Sequence, residues 1–324
     1  MNRVLVSTAP FCERNNLPLE LLASAGLEVV FNPYGRRLAE EELADLIGDF
    51  DILVAGTEPV TKKVLDRANR LKFIARVGIG LDSVDLLAAR DKGISLSYTP
   101  DAPAPAVAEL TIGLMLSLLR NIHLSNADVH NGDWVRRAGR RLSEVTIGII
   151  GVGRIGGRVL RRMSAFGSPR VLVNDIVRND NIAPDLKLEW VGKEDLLRQS
   201  DVVSLHVPMT NATRDMIRRE HLLSMKEDAF IINTARGGIV NESDLADVLA
   251  AGHLCGAAID VFNDEPYVGP LARIPNCLLT AHLGSMSHDC RAKMEIGAAE
   301  EVVRFVRGEV LKTPVPNSEF DLRL

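Results

Sequence analysis

The alternation of short apolar runs with amphipathic segments is the feature that most constrains how this chain of 324 residues can fold. Segments with helical spacing, such as 39–47 and 61–69, lie between runs rich in Val, Ile and Leu. This alternation predicts βαβ units, in which successive strands are parallel and helices cover the sheet. The predicted strands are 4–8, 27–31, 51–56, 71–76, 94–98, 145–151, 170–175, 201–207, 229–235, 255–261 and 276–282.

A proline-rich segment, residues 98–105, divides these strands into two series and predicts a hinge or a domain boundary. One long helix is expected to follow it, from about Ala106 into the 120s. Residues 183–195 have weak periodicity and are predicted to be a loop, whereas 288–306 should form the final helix. The length allows two domains, each with its own core.

Composition excludes several classes of function. Hydrophobic residues make up 46% of the chain and charged residues 25%, as in globular proteins. The net charge of −5 argues against a nucleic-acid surface, and the basic run 136–141 is interpreted as a solvated loop. The apolar segment 106–119 is interrupted by Glu109 and is too short to span a bilayer. We therefore expect no nucleic-acid partner and no membrane.

The four cysteines are widely spaced and form no CxxC or CxxH pattern. They are Cys12, Cys255, Cys277 and Cys290. Neither a disulfide framework nor a metal site is predicted, and unpaired cysteines are typical of a reducing compartment. Residues 1–10 look like a first strand rather than a signal peptide, so the expected location is the cytoplasm.

A GxGxxG motif follows the strand predicted over 145–151. It consists of Gly151, Gly153 and Gly156, and Asp175 ends the next strand. In a dinucleotide-binding unit the first glycine allows a tight turn, the second admits the pyrophosphate, and the third lets helix and strand pack closely. An acidic residue at the position of Asp175 accepts hydrogen bonds from the ribose hydroxyls and repels a 2′-phosphate. The motif thus predicts NAD rather than NADP, although glycines of this kind also occur in ordinary turns.

Three charged residues follow strands of the second series: Arg236, Glu265 and His282. Each has a structural interpretation on its own, as a surface ion pair, a turn residue before proline, and a core histidine bonded to a carbonyl. Ligands of open α/β sheets, however, bind beyond the carboxyl ends of the strands. There His282 can exchange a proton, Glu265 can orient the ring, and Arg236 can hold a carboxylate, as hydride transfer to a 2-keto acid requires.

Several motifs in one order resemble the D-isomer-specific 2-hydroxyacid dehydrogenase family over about residues 51–310. They are RVGIGLDSVDL (76–86), AVAELTIGLML (106–116), LHVPMTNAT (205–213), NTARGGIVNESDL (233–245), GAAIDVFNDEP (256–266) and LLTAHLGS (278–285). The pattern is most similar to phosphoglycerate-dehydrogenase-type members, without the C-terminal regulatory domain that some of them add.

The resemblance implies site residues. Arg236, Glu265 and His282 would be the catalytic residues, with His282 as acid and base, and the backbone at Ile79 and Gly80 would hold the substrate carboxylate. The implied NAD contacts are Gly151, Gly153, Arg154, Ile155, Gly156, Asp175, His206, Val207, Pro208, Thr213, Thr234, Ala235, Arg236, Asp260, His282 and Gly284. For His206, a purely structural role is an equal alternative.

The resemblance also implies the architecture: two Rossmann-like/flavodoxin-like α/β domains, each a doubly wound parallel sheet, with a cleft between them. Residues 1–99 and 287–324 would form the substrate-binding domain, and residues 100–286 the NAD-binding domain. Members of the family commonly form homodimers through the long helix after Pro105.

The substrate is less constrained. Ala55 and Gly56 stand where phosphoglycerate enzymes often carry an arginine for the phosphate. Arg76 is predicted to point into the cleft and to bind an anionic or hydroxylated tail. Its alternative is an ion pair within its own domain. The other predicted substrate contacts are Arg236, which holds the carboxylate, and His282, which exchanges the proton. The expected substrate is a small 2-keto or D-2-hydroxy acid of the 3-phosphoglycerate, or glycerate, hydroxypyruvate and glyoxylate, type.

Two other functions compete with this interpretation. An NAD(H)-sensing binding protein, like the corepressors built on the same fold, can keep the same three charged residues. Formate dehydrogenases are a weaker match, because they pair the histidine with glutamine where this chain has Glu265. Turnover of NADH with a keto acid would separate the enzyme from the binding protein.

Overall fold

Two parallel β-sheets organise the residues that the computed structural model describes, 2–13 and 15–321. Unit 1 comprises Met1–Pro103 and Ser287–Leu324, and unit 2 comprises Ala104–Met286. Every strand pair in the described residues is parallel, which confirms the predicted α/β class with two doubly wound sheets. The outermost parts of the predicted substrate domain, residue 1 and residues 322–324, lie outside the described residues.

Unit 1 has a sheet of five described strands in the order β2-β1-β3-β4-β5. The strands are β1 (Arg3–Val6), β2 (Glu28–Phe31), β3 (Ile52–Ala55), β4 (Phe73–Arg76) and β5 (Ser95–Tyr98). Its helices are α1 (Leu17–Ser24), α2 (Glu40–Leu46), α3 (Lys62–Arg67), α4 (Leu86–Asp91), α11 (His288–Val306) and α12 (Asn317–Asp321).

The C-terminal helix α11 packs on the sheet of unit 1. Phe305 near its end stacks on Phe73 of β4, with ring centroids 4.5 Å apart and planes at 6°. On the sheet, β3 and β4 consist entirely of buried residues, as expected for parallel strands covered on both faces. This stacked aromatic pair joins the chain's last long helix to a strand more than 200 residues earlier.

Unit 2 has a sheet of seven described strands in the order β12-β11-β10-β9-β6-β7-β8. The strands are β6 (Thr146–Ile150), β7 (Arg170–Asn174), β8 (Leu188–Trp190), β9 (Val202–Leu205), β10 (Phe230–Asn233), β11 (Gly256–Ile259) and β12 (Cys277–Leu279). Its helices are α5 (Ala104–Leu119), α6 (Ile122–His130), α7 (Gly156–Met163), α8 (Lys193–Gln199), α9 (Arg219–Ser224) and α10 (Glu242–Ala250).

The strand order reverses at one place in each sheet. In unit 1 the reversal lies between β1 and β3, and in unit 2 it lies between β6 and β9. Open α/β sheets bind ligands beyond the carboxyl ends of the strands at such a reversal. These two edges are therefore where functional side chains are expected.

The helix predicted after the prolines is not continuous. Helix α5 ends at Leu119, Asn121 has a φ of 54°, and α6 then begins at Ile122 with a bend of 64° between the two. Asparagine tolerates the left-handed region better than most residues, so it can end one helix and start another. Among the described residues no single helix is long and apolar enough to cross a membrane, and only this bent pair reaches the required length and composition.

The prediction of a loop over 183–195 was also wrong. Strand β8 lies within it and pairs with β7, with Val171 opposite Leu188 and Val173 opposite Trp190, and α8 begins at Lys193. Three residues are too few to show a period of two. Pairing with a buried neighbouring strand, rather than local pattern, makes this segment a strand.

Candidate active site

The three glycines of the GxGxxG motif each suit the position they occupy after β6. Gly151 has a φ of 91°, and a Cβ there would lie 2.6 Å from the carbonyl oxygen of His206. A Cβ on Gly156 would lie 2.0 Å from the carbonyl oxygen of Gly151, so only glycine lets α7 begin this close to β6. At Gly153, in contrast, nothing lies within 4 Å of the Cβ position. The loop is closed on two sides and open at Gly153, which fits a pyrophosphate at the helix N-terminus.

Asp175 follows β7 and bonds to the same loop. Its Oδ2 accepts the N–H of Val152 at 2.7 Å, and its Oδ1 accepts the N–H of Val177 at 2.9 Å. A carboxylate has about four acceptor positions, so lone pairs remain for ribose hydroxyls. Arg178, three residues further along, is paired with Asp180 at 3.0 Å. Asp175 therefore shapes the glycine loop in addition to its predicted role in binding ribose.

The segment after β9 borders the glycine loop. Nε2 of His206 lies 3.0 Å from Oγ of Ser204, while Nδ1 is buried and has no hydrogen-bond partner within the described ranges. Burial lowers the pKa of His206 to about 3, so the ring is neutral at physiological pH. Cγ1 of Val207 lies 3.0 Å from the Cβ position of Gly151. His206 and Val207 thus form one wall of the predicted cofactor site, with a buried polar nitrogen in that wall.

The loop that continues from this wall is closed by a threonine. Oγ1 of Thr213 donates to the carbonyl of Pro208 at 2.6 Å and accepts the N–H of Thr210 at 2.8 Å. These bonds fix the two ends of the loop relative to each other. Arg154 and Ile155 lie at the start of α7, with Arg154 exposed.

His282 and Glu265 are in direct contact. Nδ1 of His282 lies 2.9 Å from Oε2 and 3.1 Å from Oε1 of Glu265, and Oε1 also accepts the N–H of Phe262 at 3.1 Å. Because an ionised carboxylate can only accept, this contact favours a proton on Nδ1. Nε2, on the other side of the ring, is then the nitrogen that can exchange a proton with a ligand.

Asp260 fixes the backbone that carries His282. Its Oδ1 accepts the N–H of Leu283 at 2.7 Å and the hydroxyl of Thr280 at 2.6 Å, and its Oδ2 accepts the N–H of Gly284 at 2.9 Å. Burial raises the pKa of Asp260, although these donors oppose the shift. His282 itself has a φ of 52°, a conformation that persists in a bulky residue only where the surroundings enforce it. No pattern in the sequence indicates that Asp260 holds the histidine loop.

Arg236 follows β10, two strand positions from β12. Its Nη1 donates to the carbonyl of Ala235 at 2.6 Å, and its own carbonyl accepts from Nδ2 of Asn233 at 2.8 Å. Since neighbouring strands are ~4.8 Å apart, Arg236 and His282 start from strand ends roughly 10 Å apart. The sheet brings the three charged residues to one edge and joins two of them directly.

The side chain of Thr234 points to helix α5. Its hydroxyl is buried and lies 2.8 Å from the hydroxyl of Thr111 in α5, which also donates to the carbonyl of Val107. The N–H of Ala235 donates to Oδ1 of Asn233 at 3.1 Å. The hydroxyl of Thr234 is thus engaged with α5, and its contact with NAD stays a prediction.

The predicted carboxylate anchor lies in unit 1, after β4. Within the described residues, the N–H groups of Ile79 and Gly80 make no hydrogen bond, and both residues are half-buried. Preceding them, Gly78 is held by Thr99, whose Oγ1 accepts the N–H of Gly78 at 2.7 Å. Two adjacent N–H groups on a fixed turn suit a carboxylate.

Arg76, the last residue of β4, is only 6% exposed. Its Nη1 donates to the carbonyl of Val77, and it lies 2.6 Å from the Cβ position of Gly78. The guanidinium is therefore held against the turn that precedes Ile79. A contact of Arg76 with substrate stays a prediction.

The sequence pattern did not lead us to Glu58, a buried acid near the carboxyl edge of the unit 1 sheet. Glu58 follows β3 and is 1% exposed. An acidic residue two positions after Gly56, at the end of an apolar strand next to the reversal of strand order, is a signal that could have identified it.

The families and proteins to which this chain is similar agree with the geometry of the site. Residues 112–284 match the family described as D-isomer specific 2-hydroxyacid dehydrogenase, NAD binding domain. A D-3-phosphoglycerate dehydrogenase of Methanocaldococcus jannaschii is 39% identical over 289 residues, which are 86% of this chain and 54% of that protein. This chain thus spans about half the length of that relative.

A second relative and a solved structure match along nearly their whole lengths. A hydroxypyruvate reductase of Thermotoga maritima is 36% identical over 274 residues, 82% of this chain and 88% of that protein. The crystal structure of the TT0316 protein from Thermus thermophilus superposes with a TM-score of 0.86 at 35% identity, covering 97% of this chain and all of that one.

Proposed function

Because this chain belongs to the D-isomer-specific 2-hydroxyacid dehydrogenase family, we propose that it transfers a hydride reversibly between NAD(H) and a small 2-keto or D-2-hydroxy acid. The observation that carries the proposal is the contact between His282 and Glu265 at 2.9 Å, at the strand edge of a sheet that also bears an open glycine loop. NADH, when bound, supplies the hydride that attacks the carbonyl carbon.

The side chains of this protein supply the remaining chemistry. Nε2 of protonated His282 donates a proton to the carbonyl oxygen as the hydride arrives, so the ketone becomes an alcohol and the imidazole becomes neutral. Glu265 holds the ring through Nδ1 in both protonation states. Arg236, with its permanently charged planar donors, is proposed to bind the substrate carboxylate together with the N–H groups of Ile79 and Gly80. In the oxidative direction His282 removes the hydroxyl proton.

The decisive experiment is NADH oxidation by the purified chain against a panel of 2-keto acids. His282→Ala should cut kcat by roughly 10²-fold or more, the usual scale for a lost general acid, while NADH binding stays nearly intact. Glu265→Gln should lower kcat by less, since an amide oxygen can still accept from Nδ1. His288→Ala, at an exposed histidine six residues further along, is the control. A parent that binds NADH but turns over no 2-keto acid would contradict the proposal and favour the NAD(H)-sensing alternative.

We propose further that the protein acts as a homodimer in the cytoplasm, without a nucleic-acid or membrane partner. Helix α6 and the segment after it expose large apolar side chains, among them Trp134 at 80%, which a second copy could cover. The negative net charge supports the proposal that no nucleic acid is bound, and the free cysteines support the proposed location in the cytoplasm. A solution mass of twice the chain mass by sedimentation equilibrium is the expected result, and a monomer would contradict it.

A further inference from the structure

The carboxyl edge of the unit 1 sheet carries a second set of polar groups beside the predicted carboxylate anchor. Ser7 and Thr8 follow β1, and Glu58 lies shortly after β3. The strand order reverses between these two strands, and β3 is also the neighbour of β4, which Ile79 follows. Since neighbouring strands are ~4.8 Å apart, the end of β3 is next to the turn that would hold the substrate carboxylate.

Glu58 is held there by one of its two oxygens. Oε1 accepts the N–H of Gly56 at 2.7 Å and also the hydroxyl of Ser7. Oε2 makes no hydrogen bond within the described parts of the chain. A buried carboxylate normally uses all its acceptor capacity, because desolvation without compensation is costly. One oxygen thus positions the side chain, and the other is available to a ligand.

The missing side chain of Gly56 lets this second oxygen lie close to the backbone at the end of β3. A Cβ at Gly56 would lie 2.8 Å from Oε2 of Glu58 and 2.6 Å from Oγ1 of Thr8. Any larger residue would therefore collide with both polar atoms. Glycine at position 56 is thus what allows a carboxylate oxygen and a hydroxyl to lie side by side at this strand end.

Charge decides which ligand group Oε2 of Glu58 can bind. A carboxylate oxygen accepts a hydrogen bond from a hydroxyl, whereas it repels a phosphate, which has only acceptors and like charge. Arg37, on the loop after β2, is exposed and donates through Nε to the carbonyl of Thr57 at 3.1 Å. The arginine that would favour a phosphate at the end of β3 is absent, since Ala55 stands there.

We propose that Glu58 is a specificity residue that selects a substrate with a hydroxyl on carbon 3 and rejects one with a phosphate there. This inference rests on the proposed function and assigns the substrate class within it: hydroxypyruvate and D-glycerate rather than their 3-phosphorylated forms. Of the two tails that the sequence predicts Arg76 to bind, anionic or hydroxylated, it selects the hydroxylated one.

The test compares kcat/KM of the full chain with NADH on hydroxypyruvate and on 3-phosphohydroxypyruvate. Glyoxylate, which has no carbon 3, serves as the reference for effects common to all substrates. The parent should prefer hydroxypyruvate by at least tenfold, and Glu58→Gln should narrow that preference by at least tenfold. The amide oxygen of glutamine can still accept from Gly56, so the loop is retained. Glu58→Asp, which keeps the charge, should keep the rejection of the phosphorylated substrate even if the glutamine variant fails to fold.

Glu301→Gln is the matched control. Glu301 is a buried carboxylate of the same unit that accepts the N–H groups of Lys312 at 3.0 Å and Thr313 at 3.3 Å. Its replacement should therefore change kcat/KM by the same factor for all three substrates. A parent that prefers the phosphorylated substrate, or a Glu58→Gln variant with an unchanged ratio, overturns this inference and leaves the proposed dehydrogenase activity intact. A parent with no turnover on any keto acid overturns both.

Discussion

At the scale of single residues, Asp175 shows how one side chain can serve the fold and the cofactor together. Its carboxylate accepts two backbone N–H groups, one of them from Val152 inside the glycine motif. Its negative charge lies where the ribose of NAD is predicted to bind. Structural and functional interpretations of an acid after a strand are therefore not exclusive.

Replacing Asp175 separates these two contributions. Asp175→Asn keeps an acceptor for one backbone N–H but removes the charge, so the preference for NADH over NADPH should narrow by roughly tenfold or more. Dissociation constants for both cofactors, measured by titration, test this. A parent that itself binds NADPH more tightly would show the ribose assignment to be wrong, and Arg178 would be the next residue to change.

His206 links stability to pH at the same scale. Burial lowers its pKa in the folded state from 6.5 to about 3, so between these values the unfolded chain binds a proton that the folded chain does not. Stability should therefore fall as the pH falls below 6.5. By linkage this group alone costs at most about 2 kcal/mol at pH 5.

The change that tests this is His206→Asn. Between pH 7 and pH 5 the unfolding free energy of the variant, from urea titrations, should decline by about 2 kcal/mol less than that of the parent. Other titrating groups contribute equally to both proteins and cancel in the comparison. If the unfolding free energies of parent and variant declined equally, the proposed cost of burying His206 would be ruled out.

At the scale of elements, the loop between β6 and α7 separates two requirements within six residues. Gly156 has no room for a Cβ, whereas the Cβ position of Gly153 is open. Gly156 serves the packing of helix on strand, and Gly153 leaves space for a ligand. Substitution of Gly153 should therefore weaken cofactor binding, whereas substitution of Gly156 should lower stability.

Gly153→Ala should weaken NADH binding by roughly tenfold or more with little change in stability, because the methyl group fills the open side of the loop. Gly156→Ala should cost about 2 kcal/mol or more of stability, because the added Cβ meets a backbone oxygen that cannot move freely. Thermal unfolding and NADH titration of both variants provide the measurement. Equal loss of stability in the two would mean that Gly153 is structural as well.

At the scale of the whole molecule, the last long helix belongs to the unit that contains the first strand. Helix α11 packs on the sheet of that unit, where Phe305 stacks on Phe73 with centroids 4.5 Å apart. The cofactor motif lies in the other unit. Damage to the stack should therefore affect folding and leave cofactor binding alone.

Phe305→Ala tests that separation. It should lower the unfolding free energy by roughly 1–3 kcal/mol, less than the loss of a fully buried phenylalanine, and leave the dissociation constant of NADH unchanged. Val310→Ala, four residues after α11 ends and 85% exposed, should have almost no effect. A large rise in the NADH dissociation constant of Phe305→Ala would show that the two units do not act separately in this respect.

What the sequence by itself determined is the set of features encoded by local pattern. The alternation of short apolar runs with segments of helical spacing located both parallel sheets, and the spacing of three glycines predicted a turn that the backbone at Gly151 and Gly156 bears out. The order of strands also sufficed to expect Arg236, Glu265 and His282 at one edge, because carboxyl ends of parallel strands share an edge.

Tertiary structure decided what depends on neighbours distant in the chain. Strand β8 exists because β7 lies beside it, and the helix after the prolines breaks at Asn121, where no sequence period shows a stop. Asp260 supports the histidine loop from 20 or more residues away, and Glu58 meets Ser7 across 51 positions. Such contacts follow from which strands lie side by side, and hydrophobic periodicity carries no information about that order.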